Sequence, residues 1–154
     1  MDLFLIRHTH AEDTAPDDLR QLSKRGRQQA RRLARFLRQS GGFTPEEIWH
    51  SPLVRAQETA ALICLGTRLG VPLREVAGLR PDDDPRLIAR RLAQESRSVA
   101  LVGHEPHLSA LASLLVAGAP EPARFAMKKG AALALEGAGR HWIARWLVHP
   151  ELLG

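Results

Sequence analysis

At 154 residues, with 44% hydrophobic and 25% charged residues, the chain has the size and core content of one globular domain spanning 1–154, and it excludes collagen-like, disordered and coiled-coil classes. The net charge of +5 raises the question of a nucleic-acid partner. Neither stacking aromatics nor zinc-type spacing accompanies the basic residues, so no nucleic-acid partner is expected.

In chain order, the first apolar stretch, Leu3 to Ile6, forms a strand near 2–6 and runs directly into Arg7-His8. It is too short to be the apolar core of a secretory signal, so a cytoplasmic location is expected. The segment 20–38 then holds eight Lys or Arg and no acid. Its Ala30, Leu33, Ala34 and Leu37 recur at helical spacing, which predicts an amphipathic helix over 24–40 with the arginines facing water. A strand is expected near 46–50 and a helix over 52–69, where Ser51 suits a cap and Pro52 the first helical position. Cys64, the single cysteine, excludes an internal disulfide and reads as a core residue of that helix.

Further on come a strand near 73–76, a helix over 84–96, a strand near 98–103 and a helix over 106–117. The apolar run from Leu108 to Ala119 is too short to span a bilayer, so no membrane partner is expected. Two last strands, 130–136 and 141–148, flank the turn 137–139 and form an antiparallel pair. Strands alternating with helices predict an α/β fold: a three-layer sandwich with a mostly parallel central sheet, helices on both faces and an antiparallel C-terminal strand pair.

Two strands end alike, in Arg7-His8 and in Gly103-His104. Ligand crevices in doubly wound sheets lie beyond the carboxyl ends of the strands, so the two histidines face one site if their strands are neighbours. Arg55 falls in the first turn of a helix, where free N–H groups and a planar guanidinium suit phosphate oxygens. A competing arrangement would gather His8, His10, His104 and His107 around zinc or manganese, but no carboxylate or cysteine ligand stands out and Arg7 and Arg55 would repel a cation. No metal and no cofactor is therefore expected.

Arg7-His8, Ser51-Pro52-Leu53-Val54-Arg55-Ala56 and Gly103-His104, with Leu22-Ser23-x-x-Gly26-x-x-Gln29-Ala30 between them, together resemble the histidine phosphatase superfamily over residues 3 to about 117. Short length, the lack of a large insertion, and Arg20 just before the Leu22-Ser23 segment are most similar to the SixA-type phosphohistidine phosphatases. The resemblance implies that His8 is the nucleophile of a metal-independent phosphatase, with Arg7, Arg55 and His104 around the phosphoryl oxygens. It also implies substrate contacts at Arg20 and at Thr9, which stands where the commonest version of the first motif has glycine. The implied partner is a phosphorylated protein such as a histidine phosphotransfer domain, or else a small phosphorylated molecule. The alternatives are a phosphomonoester phosphatase or mutase, and a phosphate-binding module without turnover. Many relatives place a proton-donating glutamate near position 78, where this chain has Gly78; Glu12, Asp13, Asp18 and Asp82, Asp83 and Asp84 are the loop acids that could replace it.

Overall fold

The computed structural model describes residues 1–153. Strands β1 (Asp2–Arg7), β2 (Glu47–His50), β3 (Leu73–Glu75), β4 (Val99–Gly103), β5 (Ala132–Ala138) and β6 (His141–Val148) form one sheet in the order β3-β2-β4-β1-β5-β6. The first four run parallel to one another, while β5 runs antiparallel to both β1 and β6. The α/β class and the mostly parallel sheet are as anticipated, and the antiparallel portion reaches one strand pair further, to β1–β5.

Helices α1 (Lys24–Ser40), α2 (Val54–Thr67), α3 (Pro85–Ala93) and α4 (His107–Ala117) cover both faces. Alternation along the central strands sorts the core into two layers. Leu3, Leu5, Val99 and Leu101 pack with Ile88, Leu92, Leu108 and Leu111 of α3 and α4. Phe4, Ile6, Ala100 and Val102 point the other way, onto Leu33 and Leu37 of α1 and Ala60 and Ile63 of α2. β1 and β4 are thus apolar on both faces, as buried parallel strands require. No helix among the described residues is long and apolar enough to cross a membrane.

Several expected boundaries move for identifiable reasons. α2 begins at Val54 with Leu53 as its flanking residue, so Ser51 does not cap it. The Ser51 hydroxyl is instead held by His104 Nε2 at 2.5 Å and accepts from the Leu53 amide at 3.3 Å. The last hairpin turns at Gly139 and Arg140 rather than over 137–139, since Gly139 supplies the positive φ of 57° at the first turn position. β5 starts at Ala132 rather than 130, because the Gly130 amide turns to the carbonyls of Arg7 and His8. α3 stops at Ala93, and the Glu95 carboxylate takes the amides of Ser96 and Arg97. Cys64 is half-buried at the margin of the core, with its thiol toward the Val71 carbonyl, rather than within the core itself.

Candidate functional site

β1 and β4 are neighbours in register, with Arg7 opposite Gly103. The next residue of each chain, His8 and His104, therefore emerges at the same point of the carboxyl edge, and the ring centroids lie 5.0 Å apart. Both imidazoles are buried. His8 Nδ1 lies 2.7 Å from the Thr9 carbonyl, which can only accept, so Nδ1 carries the proton and Nε2 keeps its lone pair. His104 Nε2 meets Ser51, and its Nδ1 is buried with no partner.

Arg7 and Arg55 join from β1 and from the first turn of α2. Nη1 of Arg7 donates to the Met127 carbonyl at 2.9 Å, and Nη1 of Arg55 donates to the Asp17 carbonyl at 2.9 Å. The Nε–H of each guanidinium is buried and unpartnered. Thr9, next in the chain after His8, is buried, its amide bound to the Thr59 hydroxyl at 3.2 Å and its own hydroxyl unpartnered. Buried polar atoms nearly always find partners. Here the donors of Arg7 and Arg55, with His104 Nδ1 and the Thr9 hydroxyl, lack them at one edge of the sheet, which fits an anion with several acceptor oxygens.

A sequence profile of the histidine phosphatase superfamily (branch 1) matches residues 3–81. The chain belongs to the histidine phosphatase superfamily. That membership supports phosphatase activity, a hydrolase. The fold is shared with the protein histidine phosphatase SixA solved in complex with tungstate, at 23% identity, a TM-score of 0.90 and coverage of 100% of both chains. A candidate phosphohistidine phosphatase SixA from Agrobacterium tumefaciens is 21% identical over 97% of each chain, with a TM-score of 0.79. The alpha-ribazole phosphatase from Shigella flexneri is similar too, at 20% identity, a TM-score of 0.79 and 97% of each chain. No curated protein matches the chain.

In this histidine phosphatase fold Arg20 lies at the edge of the site. Its Nε donates to the Glu12 carbonyl at 2.7 Å and its Nη1 to Asp17 Oδ1 at 3.2 Å. Asp17, which sequence reasoning missed, also faces Arg55, with its Oδ2 3.3 Å from Nη2. Desolvation raises the Asp17 carboxyl, but the Arg20 and Arg55 guanidiniums outweigh it and hold the group below its usual range. Two further charges were missed. Lys129 sits close enough to lower the His8 ring, and Glu105 faces Arg7 while accepting from the Ser109 amide at 2.8 Å. The signal for Lys129 was the antiparallel course of β5, which returns Lys128-Lys129 to the end of β1.

The anticipated loop acids are engaged with other groups or exposed to solvent. Asp18 pairs with Arg80 at 3.2 Å, Asp83 accepts from the Arg80 amide, and Asp84 caps α3. Glu12, Asp13 and Asp82 are exposed. Nor do the four imidazoles gather: His10 Nδ1 turns to the Ser23 hydroxyl at 2.6 Å, and among the described residues no group of three or more His, Cys, Asp or Glu side chains is placed to hold a metal.

Burial lowers His8 to about 4, against the Thr9 carbonyl and with help from Arg55, Arg7 and Lys129. It lowers His104 to about 3, with His8 and Arg55 adding to it. Both rings are neutral at pH 7, whereas an unfolded histidine titrates near about 6.5. Between these values the unfolded chain binds more protons, so stability rises with pH. This contribution is fully present above about 6.5 and is lost as pH falls through the folded values. Urea midpoints should therefore climb steadily from pH 4.5 to 7; a flat profile would mean that these rings are not held neutral.

Proposed function

We propose that the chain, acting as a single domain, is a metal-independent phosphohistidine phosphatase with His8 as its nucleophile. The observation that carries this reading is the proton of His8 Nδ1 committed to the Thr9 carbonyl, which leaves the Nε2 lone pair near two guanidiniums whose Nε–H groups are buried and unpartnered. In the first step Nε2 attacks phosphorus, the new N–P bond forms, and the bond to the substrate imidazole breaks. The departing ring takes a proton from solvent. Water then attacks the phosphoryl group on His8, releasing inorganic phosphate and restoring the free ring, so that one hard displacement becomes two easier ones.

Charge spreads over the equatorial oxygens in both steps, and fixed donors aimed at them lower the barrier. The Nε–H groups of Arg7 and Arg55 are such donors. His104 supplies a third if Ser51, whose oxygen already accepts from the Leu53 amide, donates its one proton to Nε2 and leaves the hydrogen on Nδ1. The hydroxyl of Thr9 and the guanidinium of Arg20 complete the set, Arg20 through the Asp17 carboxylate it shares with Arg55. Arriving phosphoryl oxygens compete with that carboxylate for Arg55. Tungstate, the oxyanion in the SixA complex, is a tetrahedral mimic of the group expected here.

The test is phosphate release from a peptide carrying phosphohistidine, by enzyme dialysed exhaustively against chelator. Full activity is expected. Absence of release would refute the substrate, and activity restored only by zinc or manganese would refute the metal-free mechanism.

A further inference from the structure

Away from His8, the crevice continues as a basic groove. A cavity of about 540 Å³ starts at Arg7 and is walled by Arg25 and Arg32 of α1, by Lys128 and Lys129, and by Pro150 and Glu151. A second, of about 360 Å³, shares Arg32 and runs on past Arg35 and Phe36 to Gln39, with Leu152 and Leu153 opposite. The only acid lining either is Glu151, already engaged by Lys128 at 2.9 Å. Among the described residues Arg25, Arg32, Arg35 and Lys129 form no ion pair. All three arginines are exposed. Burial and then the neighbouring Arg7, Arg20, Arg25 and Arg55 lower the Lys129 ammonium, so cations crowd this end of the groove.

We propose that the groove between α1 and residues 150–153 docks an acidic segment of the phosphorylated partner protein, whose carboxylates meet Arg25, Arg32 and Arg35. This inference rests on the reading of His8 as a protein phosphohistidine phosphatase site. Length selects the occupant. From Arg25 to Gln39 the helix advances about 21 Å at 1.5 Å per residue, whereas a small phosphorylated molecule would make its contacts near Arg7. Extended chain at about 3.3 Å per residue would fill that span with about six residues. Spacing argues the same way, since Arg25 and Arg32 leave the helix about 10 Å apart and suit separated carboxylates better than one compact anion. Stacking aromatics, which a single-stranded nucleic acid would use, do not line the groove beyond the half-buried Phe36.

Two fluorescent peptides of eight residues, one rich in Asp and Glu and one in Gln and Ser, test this by anisotropy against the whole chain. The acidic peptide should bind about tenfold more tightly or better at low salt, and the preference should fade at 0.5 M salt, where screening is nearly complete. Arg32→Glu combined with Arg35→Glu should abolish the preference while leaving turnover of an aryl phosphate unchanged. With phosphohistidine added to the acidic peptide, the same variant should raise KM and spare kcat. No preference for the acidic peptide, an undiminished preference in the variant, or tighter binding of an oligouridine would overturn the proposal. If the acidic peptide binds as described but its phosphohistidine form is not hydrolysed, the docking groove stands and the phosphohistidine reading falls.

Discussion

His8→Ala should abolish phosphate release, and rapid quenching of the wild-type enzyme with labelled substrate should leave label on His8 that is labile to acid and stable to alkali. Those stabilities are the marks of a phosphoramidate. The expectation follows from the ring's placement: Nδ1 donates to Thr9, the only basic nitrogen left is Nε2, and burial keeps it unprotonated down to about pH 4. The other groups at the edge are poorer candidates: the Thr9 hydroxyl is a neutral alcohol, and His104 has no free lone pair when Ser51 donates to its Nε2 and the hydrogen sits on Nδ1. Ser51 is committed to His104, Thr59 to the Arg55 carbonyl, and Cys64 lies on α2 at the margin of the core. Arg55→Ala and His104→Ala should each lower kcat by about 10² or more, the scale expected when one preorganised donor is lost. Label on serine, aspartate or cysteine, or substantial activity in His8→Ala, would dispose of the mechanism.

Most of this geometry could be read from strand ends. Leu3-Phe4-Leu5-Ile6 and Val99-Ala100-Leu101-Val102 are apolar at every position, which marks them as strands covered on both faces, and placing them side by side was enough to bring His8 and His104 together. The charges around the pair were harder. Asp17 lies in a loop closed by a single turn of 3₁₀ helix, Asp17–Leu19, and its carboxylate is defined only by two arginines that come from outside that turn. Ser51 looked like a cap because Ser-Pro opens many helices. The 2.5 Å contact with His104 crosses from β2 to β4, and no local pattern announces it. The basic face of α1 was legible as a solvated stripe, but its partner wall is the 150–153 segment, brought there by the antiparallel return of β5 and β6.

The second large effect concerns the leaving group, and it turns on Gly78. With φ at +95°, Gly78 has a backbone conformation that a side chain rarely adopts, so no glutamate could stand there without strain. Asp17 cannot substitute, because Arg20 and Arg55 hold it as a carboxylate. Alcohols depart badly without a proton, since an alkoxide is roughly as basic as hydroxide, with a conjugate-acid pKa near about 15.7. Losing the donor should cost about 10²–10⁴ in rate. Phosphohistidine escapes that penalty: an imidazole of pKa about 6.5 is protonated by solvent and leaves neutral. Values of kcat/KM should therefore fall steeply from phosphohistidine peptides through aryl phosphates to unactivated alkyl phosphates, with at least about 10² between the extremes. Equal rates across the series would show that a proton donor exists after all. Glu75 would then be the first to replace with glutamine, since it stands at the carboxyl end of β3 and lines the same cavity of about 430 Å³ as Gly78.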